Sequence, residues 1–148
     1  MPSSRPRVLL ADDYADLVKA VSLLLAQDCD IVGSVADGRA LLETVQRLQP
    51  DVVVLDVNLP NVHSVEACRE MTRANPRMKV IMFTADSDPN AGQPFLEAGA
   101  SAFVSKLAAS GMIRDFDFGT GIGMRSRRPR RISGFFFESV PQTHGYPW

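Results

Sequence analysis

Five short runs of apolar residues recur along the chain at intervals of 21 to 28 residues. They occupy residues 8–11, 31–36, 52–55, 80–83 and 102–104. Runs such as residues 52–55 lack the polar alternation of a half-exposed strand, and this is typical of parallel strands that helices cover on both faces. The pattern therefore predicts five buried strands, separated by segments long enough to hold helices.

Apolar residues at helical spacing occupy the segments between the predicted strands. Two such series are Leu17, Val18, Val21, Leu24 and Leu25, and then Leu41, Leu42, Val45 and Leu48. Their steps of three and four residues predict two helices, and Pro50 ends the second. A third helix is predicted over residues 64–74, beginning at Ser64 or His63. A short fourth helix should end at Gly99, because glycine readily adopts the left-handed conformation that commonly terminates helices.

Strands and helices that alternate in this way predict an α/β fold with a doubly wound parallel sheet of five strands. Residues 107–110 are compatible with the start of a fifth helix, but Gly111 and the later glycines disfavour its continuation. That helix is therefore expected to be poorly formed or atypical. We expect one domain over residues 6–110 and an atypical Gly/Arg-rich tail over residues 111–148, for which disorder is one interpretation.

Charge divides the chain at the same boundary. Residues 1–110 carry 10 Lys/Arg and 14 Asp/Glu, whereas residues 111–148 carry 6 and 3, so that the formal charges are −4 and +3. The arginine-rich run at residues 125–131 is compatible with binding to the phosphates of nucleic acid, although short basic runs are more commonly solvated.

Two cysteines and the start of the chain bear on the compartment. Cys29 and Cys68 stand 39 residues apart, without a CxxC motif or a histidine at metal-ligand spacing. This arrangement predicts small core residues rather than a zinc site or a disulfide framework. The first apolar run has only four residues, too few for a signal peptide or a membrane span. We therefore expect a cytoplasmic protein without a membrane partner.

Polar residues lie at the carboxyl ends of four of the five predicted strands. They are Asp12 and Asp13 after the first, Asp56 after the third, Thr84 after the fourth and Lys106 after the fifth. The carboxyl ends of parallel strands meet at one edge of the sheet, where open α/β proteins bind ligands. Three carboxylates in one pocket repel one another unless a cation neutralises them, and Mg²⁺ prefers such oxygen ligands. The sequence therefore predicts a magnesium site at this edge, with Thr84 and Lys106 as donors to a phosphate.

Four segments around these positions carry a resemblance to a known family. They are residues 8–13, 54–60, 83–85 and 96–106. In this order and spacing they resemble the receiver domain of two-component response regulators, the CheY-like superfamily, over about residues 6–107. The resemblance implies a flavodoxin-like (βα)5 fold with strand order 2-1-3-4-5.

The resemblance also implies how the carboxylates act. Asp56 corresponds to the phosphoacceptor, a carboxylate nucleophile that takes a phosphoryl group from the phosphohistidine of a histidine kinase. The implied Mg²⁺ ligands are the side chains of Asp13 and Asp56, the backbone carbonyl of Asn58 and, through water, Asp12. Such a site works mainly by positioning and by neutralising charge around the transferred group.

Three further groups are implied on the phosphate side. Lys106 and Thr84, with the backbone amide of Ala85, correspond to the groups that bind phosphate oxygens. Thr84 and Phe103 correspond to the residues of a switch, in which the new dianionic group attracts the Thr84 hydroxyl and Phe103 turns inward.

The expected function is that of a phosphoacceptor in a two-component phosphorelay, without turnover of an external substrate. The expected partners are a sensor histidine kinase or phosphotransfer protein and a downstream protein. Binding to nucleic acid is not expected without an output domain. Formation of a homodimer is an open alternative. A stand-alone receiver, a transcriptional regulator truncated before its DNA-binding domain, and nucleic-acid binding through residues 125–131 are alternatives. A phosphatase is disfavoured, because Asp56 follows the third predicted strand and such enzymes place the nucleophile after the first.

Several of these residues also have ordinary structural interpretations. Asp13 is a favoured residue type for the N-cap of the first helix, and Phe103 is compatible with simple core packing. Asp37 and Gly38 predict a turn without chemistry. His63 is expected to be an ordinary surface or loop residue.

Overall fold

The computed structural model of the chain describes residues 5–85 and 90–105. Its strands are β1 (Arg7–Ala11), β2 (Asp30–Val35), β3 (Val52–Asp56), β4 (Lys79–Thr84) and β5 (Ala102–Ser105). Its helices are α1 (Ala15–Leu25), α2 (Gly38–Leu48), α3 (Ser64–Ala74) and α4 (Gln93–Glu97). Each strand agrees with its predicted apolar run to within one residue at either end.

The five strands are parallel and form one sheet in the order β2-β1-β3-β4-β5. This confirms the predicted α/β class and the implied strand order. The register aligns Leu10 with Val54, Val54 with Ile81, and Ile81 with Ala102 across four strands. Because the strands are parallel and aligned in this way, their carboxyl ends lie together at one edge of the sheet.

Two apolar clusters cover the two faces of the sheet. One contains Leu9 and Val53 with residues of α2, α3 and α4, and the other contains Leu10 and Val54 with residues of α1. Neighbouring residues of one strand thus point to opposite clusters, and both clusters are buried. This two-sided burial explains why the predicted strands show no polar alternation.

Both cysteines belong to these clusters, as predicted. Cys29 and Cys68 are free thiols that are 2% and 0% exposed. Burial is the main cause that raises the pKa of each thiol to about 11. At neutral pH both are therefore protonated core residues rather than nucleophiles.

The short α4 ends as the glycine pattern predicts. Gly99 has φ +107°, and the amides of Gly99 and Ala100 donate to the carbonyls of Leu96 and Phe95 at 3.1 and 2.9 Å. These two bonds form a Schellman motif, which satisfies carbonyl groups at the end of the helix. A Cβ atom at Gly99 would lie 2.7 Å from the Thr72 hydroxyl oxygen, so this position also requires a close approach.

The predicted third helix agrees with α3 at both ends, and His63 is its N-cap residue and is exposed. Among the helices in residues 5–85 and 90–105, none is long and apolar enough to cross a membrane. The predicted fifth helix, the tail over residues 111–148 and its arginine-rich run lie outside the described residues.

Candidate functional site

The first two carboxylates of the site come directly after β1. The Asp12 amide donates to the Val35 carbonyl at 3.0 Å, which continues the pairing of β1 with β2 for one more residue. The Asp12 side chain is buried at 6% exposure, and its Oδ1 accepts a hydrogen bond from the Tyr14 amide at 2.9 Å. Asp13, the next residue, is exposed. The turn that leads into α1 thus holds Asp12 inside the sheet edge and leaves Asp13 at its rim.

Asp13 does not cap the first helix. The helix α1 begins at Ala15, and its N-cap residue is Tyr14, whose side chain makes no capping hydrogen bond. The interpretation of Asp13 as an N-cap is therefore wrong, because the turn at Asp12 delays the start of the helix by one residue.

The third carboxylate, Asp56, is the last residue of β3 and is 4% exposed. Its Oδ1 accepts a hydrogen bond from the Asn58 amide at 3.1 Å. Its backbone carbonyl accepts from the Ser64 hydroxyl at 3.2 Å and from the Leu59 amide at 3.3 Å. Contacts with the following loop and with the start of α3 therefore fix both the side chain and the backbone of Asp56.

The fold brings these three carboxylates together. One oxygen each of Asp12, Asp13 and Asp56 lies within 4.8 Å of the other two. Two like charges at such a distance repel by about 1 kcal/mol even in water, and by more in a less polar environment. The arrangement is therefore an anionic cluster that favours binding of a hard cation.

Thr84 and Ala85 follow at the end of the neighbouring strand. Phe83 of β4 is aligned with Asp56 of β3, so that Thr84 lies one residue further towards the same edge. Thr84 is 1% exposed and is aligned with Ser105 of β5, while Ala85 is exposed. Lys106, the residue after Ser105 in the sequence, lies outside the described residues.

Phe103 packs on the face of the sheet that carries α4. It is half-buried, and its ring stacks on that of Phe95 with centroids 6.0 Å apart and an angle of 23° between the planes. A Cβ atom at Gly92 would lie 2.7 Å from the Phe103 ring, so Gly92 leaves room for it. Phe103 is therefore part of the packing between β5 and α4 in this conformation.

Two features of the site are not predicted from the sequence. Ser64, predicted only as a helix start, is 6% exposed and contacts the carbonyl of Asp56. Asp37 is the N-cap of α2 and also contacts Asn61 in the loop after β3. An Asp before a helical apolar repeat is a recognisable cap signal, but no local pattern indicates its second contact.

The comparisons with known proteins agree with this geometry. A family model for the response regulator receiver domain matches residues 8–115. A protein-glutamate methylesterase/protein-glutamine glutaminase of Nocardioides sp. is 37% identical over 111 residues, which are 72% of this chain and 30% of that protein. The DNA-binding response regulator MtrA of Mycobacterium bovis is 32% identical over 106 residues, 72% of this chain and 46% of that protein. The chain thus spans less than half the length of either relative.

A solved structure shares the fold. It is a signal receiver domain assigned to the response regulator NarL of Mycobacterium tuberculosis, 26% identical with a TM-score of 0.64. The similarity covers 70% of this chain and 85% of that one.

Proposed function

The chain belongs to the receiver-domain family of response regulators, and from this premise we propose that it accepts a phosphoryl group on Asp56 from the phosphohistidine of a partner kinase. The observation that carries the proposal is the clustering of Asp12, Asp13 and Asp56 within 4.8 Å, at the sheet edge where open α/β proteins bind ligands. Asp56 is the nucleophile, because it is the carboxylate at the end of the central strand β3 and its orientation is fixed by the Asn58 amide.

The residues of the cluster fit a magnesium ion. Mg²⁺ binds carboxylate and carbonyl oxygens at about 2.0 to 2.1 Å and keeps several of its waters. Carboxylate oxygens that lie within 4.8 Å of one another are hard ligands of the kind that Mg²⁺ prefers. Asp13 and Asp56 would hold the ion with the Asn58 carbonyl, and Asp12 would act through water. When bound, the ion would supply positive charge to stabilise the transferred phosphoryl group.

Three groups at or directly after the ends of β4 and β5 in the sequence are proposed to bind the phosphate oxygens. We assign this role to the Thr84 hydroxyl, the Ala85 amide and the Lys106 ammonium group. The position of Thr84 supports its assignment, because Thr84 is the last residue of β4 and lies one residue beyond the level of Asp56. Phosphoryl transfer depends mainly on the positions and charges of the groups around the phosphorus atom. Asp56 and these three groups therefore need to transfer few protons.

The switch acts through Thr84 and Phe103. Phosphorylation of Asp56 attracts the Thr84 hydroxyl, and Phe103 leaves its stacking contact with Phe95 to turn inward. Differences of a few kcal/mol between two packed arrangements are enough for such a change. The packing between β5 and α4 then presents a different surface to a downstream protein.

The proposed partners follow from this chemistry. They are a histidine kinase or phosphotransfer protein as donor and a downstream protein as receiver of the signal, in the cytoplasm. The domain over residues 6–110 turns over no external substrate in this proposal. Its relatives include a protein named as a methylesterase and one named as DNA-binding, so control of an enzymatic or DNA-binding output is the second candidate for the whole protein.

Phosphorylation of the intact protein tests the proposal. Incubation with a small phosphodonor and Mg²⁺ should add the mass of one phosphoryl group, and Asp56→Asn should add none. Asp51→Asn is a matched control, because Asp51 precedes β3 at the opposite edge of the sheet and is exposed. Wild-type protein that stays unmodified under conditions that label another receiver domain would contradict the proposal.

A further inference from the structure

The loop between β3 and α3 is attached to the start of α2. The Gly38 amide donates to the Pro60 carbonyl at 2.8 Å. The side-chain amide of Asn61 donates to Oδ2 of Asp37, and the Arg39 guanidinium donates to Oδ1 of Asn61 at 3.4 Å. These contacts join residues that are 22 to 24 positions apart in the sequence.

Backbone geometry at both sides makes this attachment close. A Cβ atom at Gly38 would lie 2.2 Å from Cβ of Val62, so the approach requires glycine. Asn61 has φ 61°, in the left-handed region that asparagine tolerates better than most residues. The loop therefore turns sharply at the residue whose side chain contacts Asp37.

The same loop carries the residue that supplies a backbone ligand in the proposed function. Asn58 lies between Asp56 and Pro60 in this loop. The Asn58 amide donates to Oδ1 of Asp56 at 3.1 Å, and the Pro60 carbonyl accepts a hydrogen bond from the Gly38 amide. The far end of the loop is held by the Ser64 hydroxyl on the Asp56 carbonyl at 3.2 Å. The path of the backbone at Asn58 thus depends on contacts at both of its sides.

We propose that Asp37 and Asn61 form a positioning pair that holds the Asn58 carbonyl in place for a divalent cation at Asp56. This inference rests on the proposed function, because it assigns a role to residues outside the cluster of carboxylates. Neither residue touches the cation or the phosphoryl group. The pair acts by limiting the conformations of the loop in which Asn58 lies.

The two carboxylate oxygens of Asp37 have different partners, so positioning of the loop can be distinguished from ordinary capping of α2. Oδ1 accepts a hydrogen bond from the Arg39 amide at 2.7 Å and caps α2, whereas Oδ2 accepts from Asn61. The hydrogen bond from the Arg39 amide, followed by that from Asn61, lowers the pKa of Asp37, so the carboxylate form is the one engaged. Substitutions that remove only the second contact therefore test the pair and leave the cap.

Two single variants remove the contact from opposite sides. Asn61→Gly deletes the side chain and keeps a residue that tolerates positive φ. Asp37→Ser keeps a good N-cap residue and removes the oxygen that Asn61 contacts. We expect each to raise the Mg²⁺ dissociation constant, measured by calorimetry, by about threefold to tenfold, less than the roughly 10- to 100-fold typical of groups that contact a metal ligand directly. Both substitutions remove the hydrogen bond between Asp37 and Asn61, and Asn61→Gly also removes the contact with Arg39. The double variant should therefore bind Mg²⁺ about as tightly as Asn61→Gly alone.

The control is a variant that destabilises the protein without changing the loop between β3 and α3. Thr72→Ala removes the hydrogen bond from the Thr72 hydroxyl to the Ala98 carbonyl at 3.1 Å, on the last turns of α3. It should lower the free energy of unfolding and leave the Mg²⁺ dissociation constant unchanged. The amide resonance of Asn58 gives a second measurement, since its hydrogen exchange should accelerate in both loop variants and not in the control.

The outcomes are distinguishable. If the wild type binds Mg²⁺ and is phosphorylated while both loop variants bind Mg²⁺ as tightly as it does, the positioning pair is wrong and the proposed function stands. Additive effects of the two substitutions would also overturn the pair, because independent effects do not require their contact. Wild-type protein that neither binds Mg²⁺ nor is phosphorylated would remove the proposed function and the inference together.

Discussion

Acidic residues lie at both edges of the sheet, but in different surroundings. At the amino edge, Asp30 is exposed and forms an ion pair with Arg5 at 3.5 Å, and Asp51 is exposed and accepts a hydrogen bond from the Arg7 amide at 2.8 Å. At the carboxyl edge, Asp12 and Asp56 are 6% and 4% exposed. Together with Asp13 they place three oxygens within 4.8 Å.

In the proposed function, the difference separates acids that serve the fold from acids that bind a cation. An exposed carboxylate next to an arginine costs little and contributes little to stability. Carboxylates whose oxygens lie this close together repel one another, and the repulsion lowers the stability of the folded protein. The carboxyl edge therefore carries a repulsion that a cation would relieve, and the amino edge does not.

The largest effect expected from this comparison is stabilisation by Mg²⁺. A ligand that binds only the folded state at ten times its dissociation constant raises the free energy of unfolding by about 1.4 kcal/mol. For a domain of this size, that corresponds to an increase of about 6 to 11 °C in the midpoint of thermal unfolding. Calorimetry with and without Mg²⁺ measures it.

Asp13→Asn is the variant that should remove most of this Mg²⁺ effect, and Asp51→Asn at the opposite edge should retain it. An equal increase in both variants would show that Mg²⁺ acts elsewhere on the protein, and the contrast between the two edges would then fail.

Sequence patterns predict which residues lie at the sheet edge, but they do not predict the side-chain contacts beside it. Asp12, Asp56 and Thr84 could be placed together because buried apolar runs mark the ends of parallel strands, and parallel strands end at one edge. The contact between Asp37 and Asn61 could not be predicted, because it joins two loops through side chains and leaves no period in the sequence. The one-residue delay of α1 has a local cause instead, since the Tyr14 amide donates to Asp12 two residues before it and the helix begins only at Ala15.

Fold and site also differ in how far they can be predicted. Two-sided burial of β3 dictates a continuous apolar run, which is visible in one segment of sequence. The position of Ser64 against Asp56 depends on the path of the loop between them, which is set by contacts with α2. Site geometry of this kind follows from tertiary packing and not from local preference.

A smaller effect is expected when one carboxylate of the cluster loses its charge. Asp13→Asn removes its repulsion with Asp12 and Asp56, and in the absence of Mg²⁺ it should raise the free energy of unfolding by about 1 kcal/mol. Denaturant unfolding at low salt measures the change. Asp13 is the suitable position, because it is exposed and its substitution leaves the amide contacts of Asp12 and Asp56 in place.

Asp16→Asn is the matched control for this variant. Asp16 is an exposed acid in the first turn of α1, where a negative charge interacts favourably with the helix dipole. Its substitution should therefore lower stability slightly rather than raise it. Equal stabilisation by both variants would indicate a general effect of net charge, and not repulsion within the cluster.

The smallest effect is expected at the amino edge. Asp30→Asn removes the partner of Arg5 in an ion pair whose side chains are 47% and 56% exposed. Exposed pairs contribute little after solvent screening, so the free energy of unfolding should fall by about 0.3 kcal/mol, and the difference should vanish in high salt. Phosphoryl incorporation at Asp56 should equal that of the wild type, because the two residues lie at opposite edges of the sheet. A loss of phosphorylation in Asp30→Asn would show that the two edges are coupled, and the distinction between structural and ligand-binding acids would not hold.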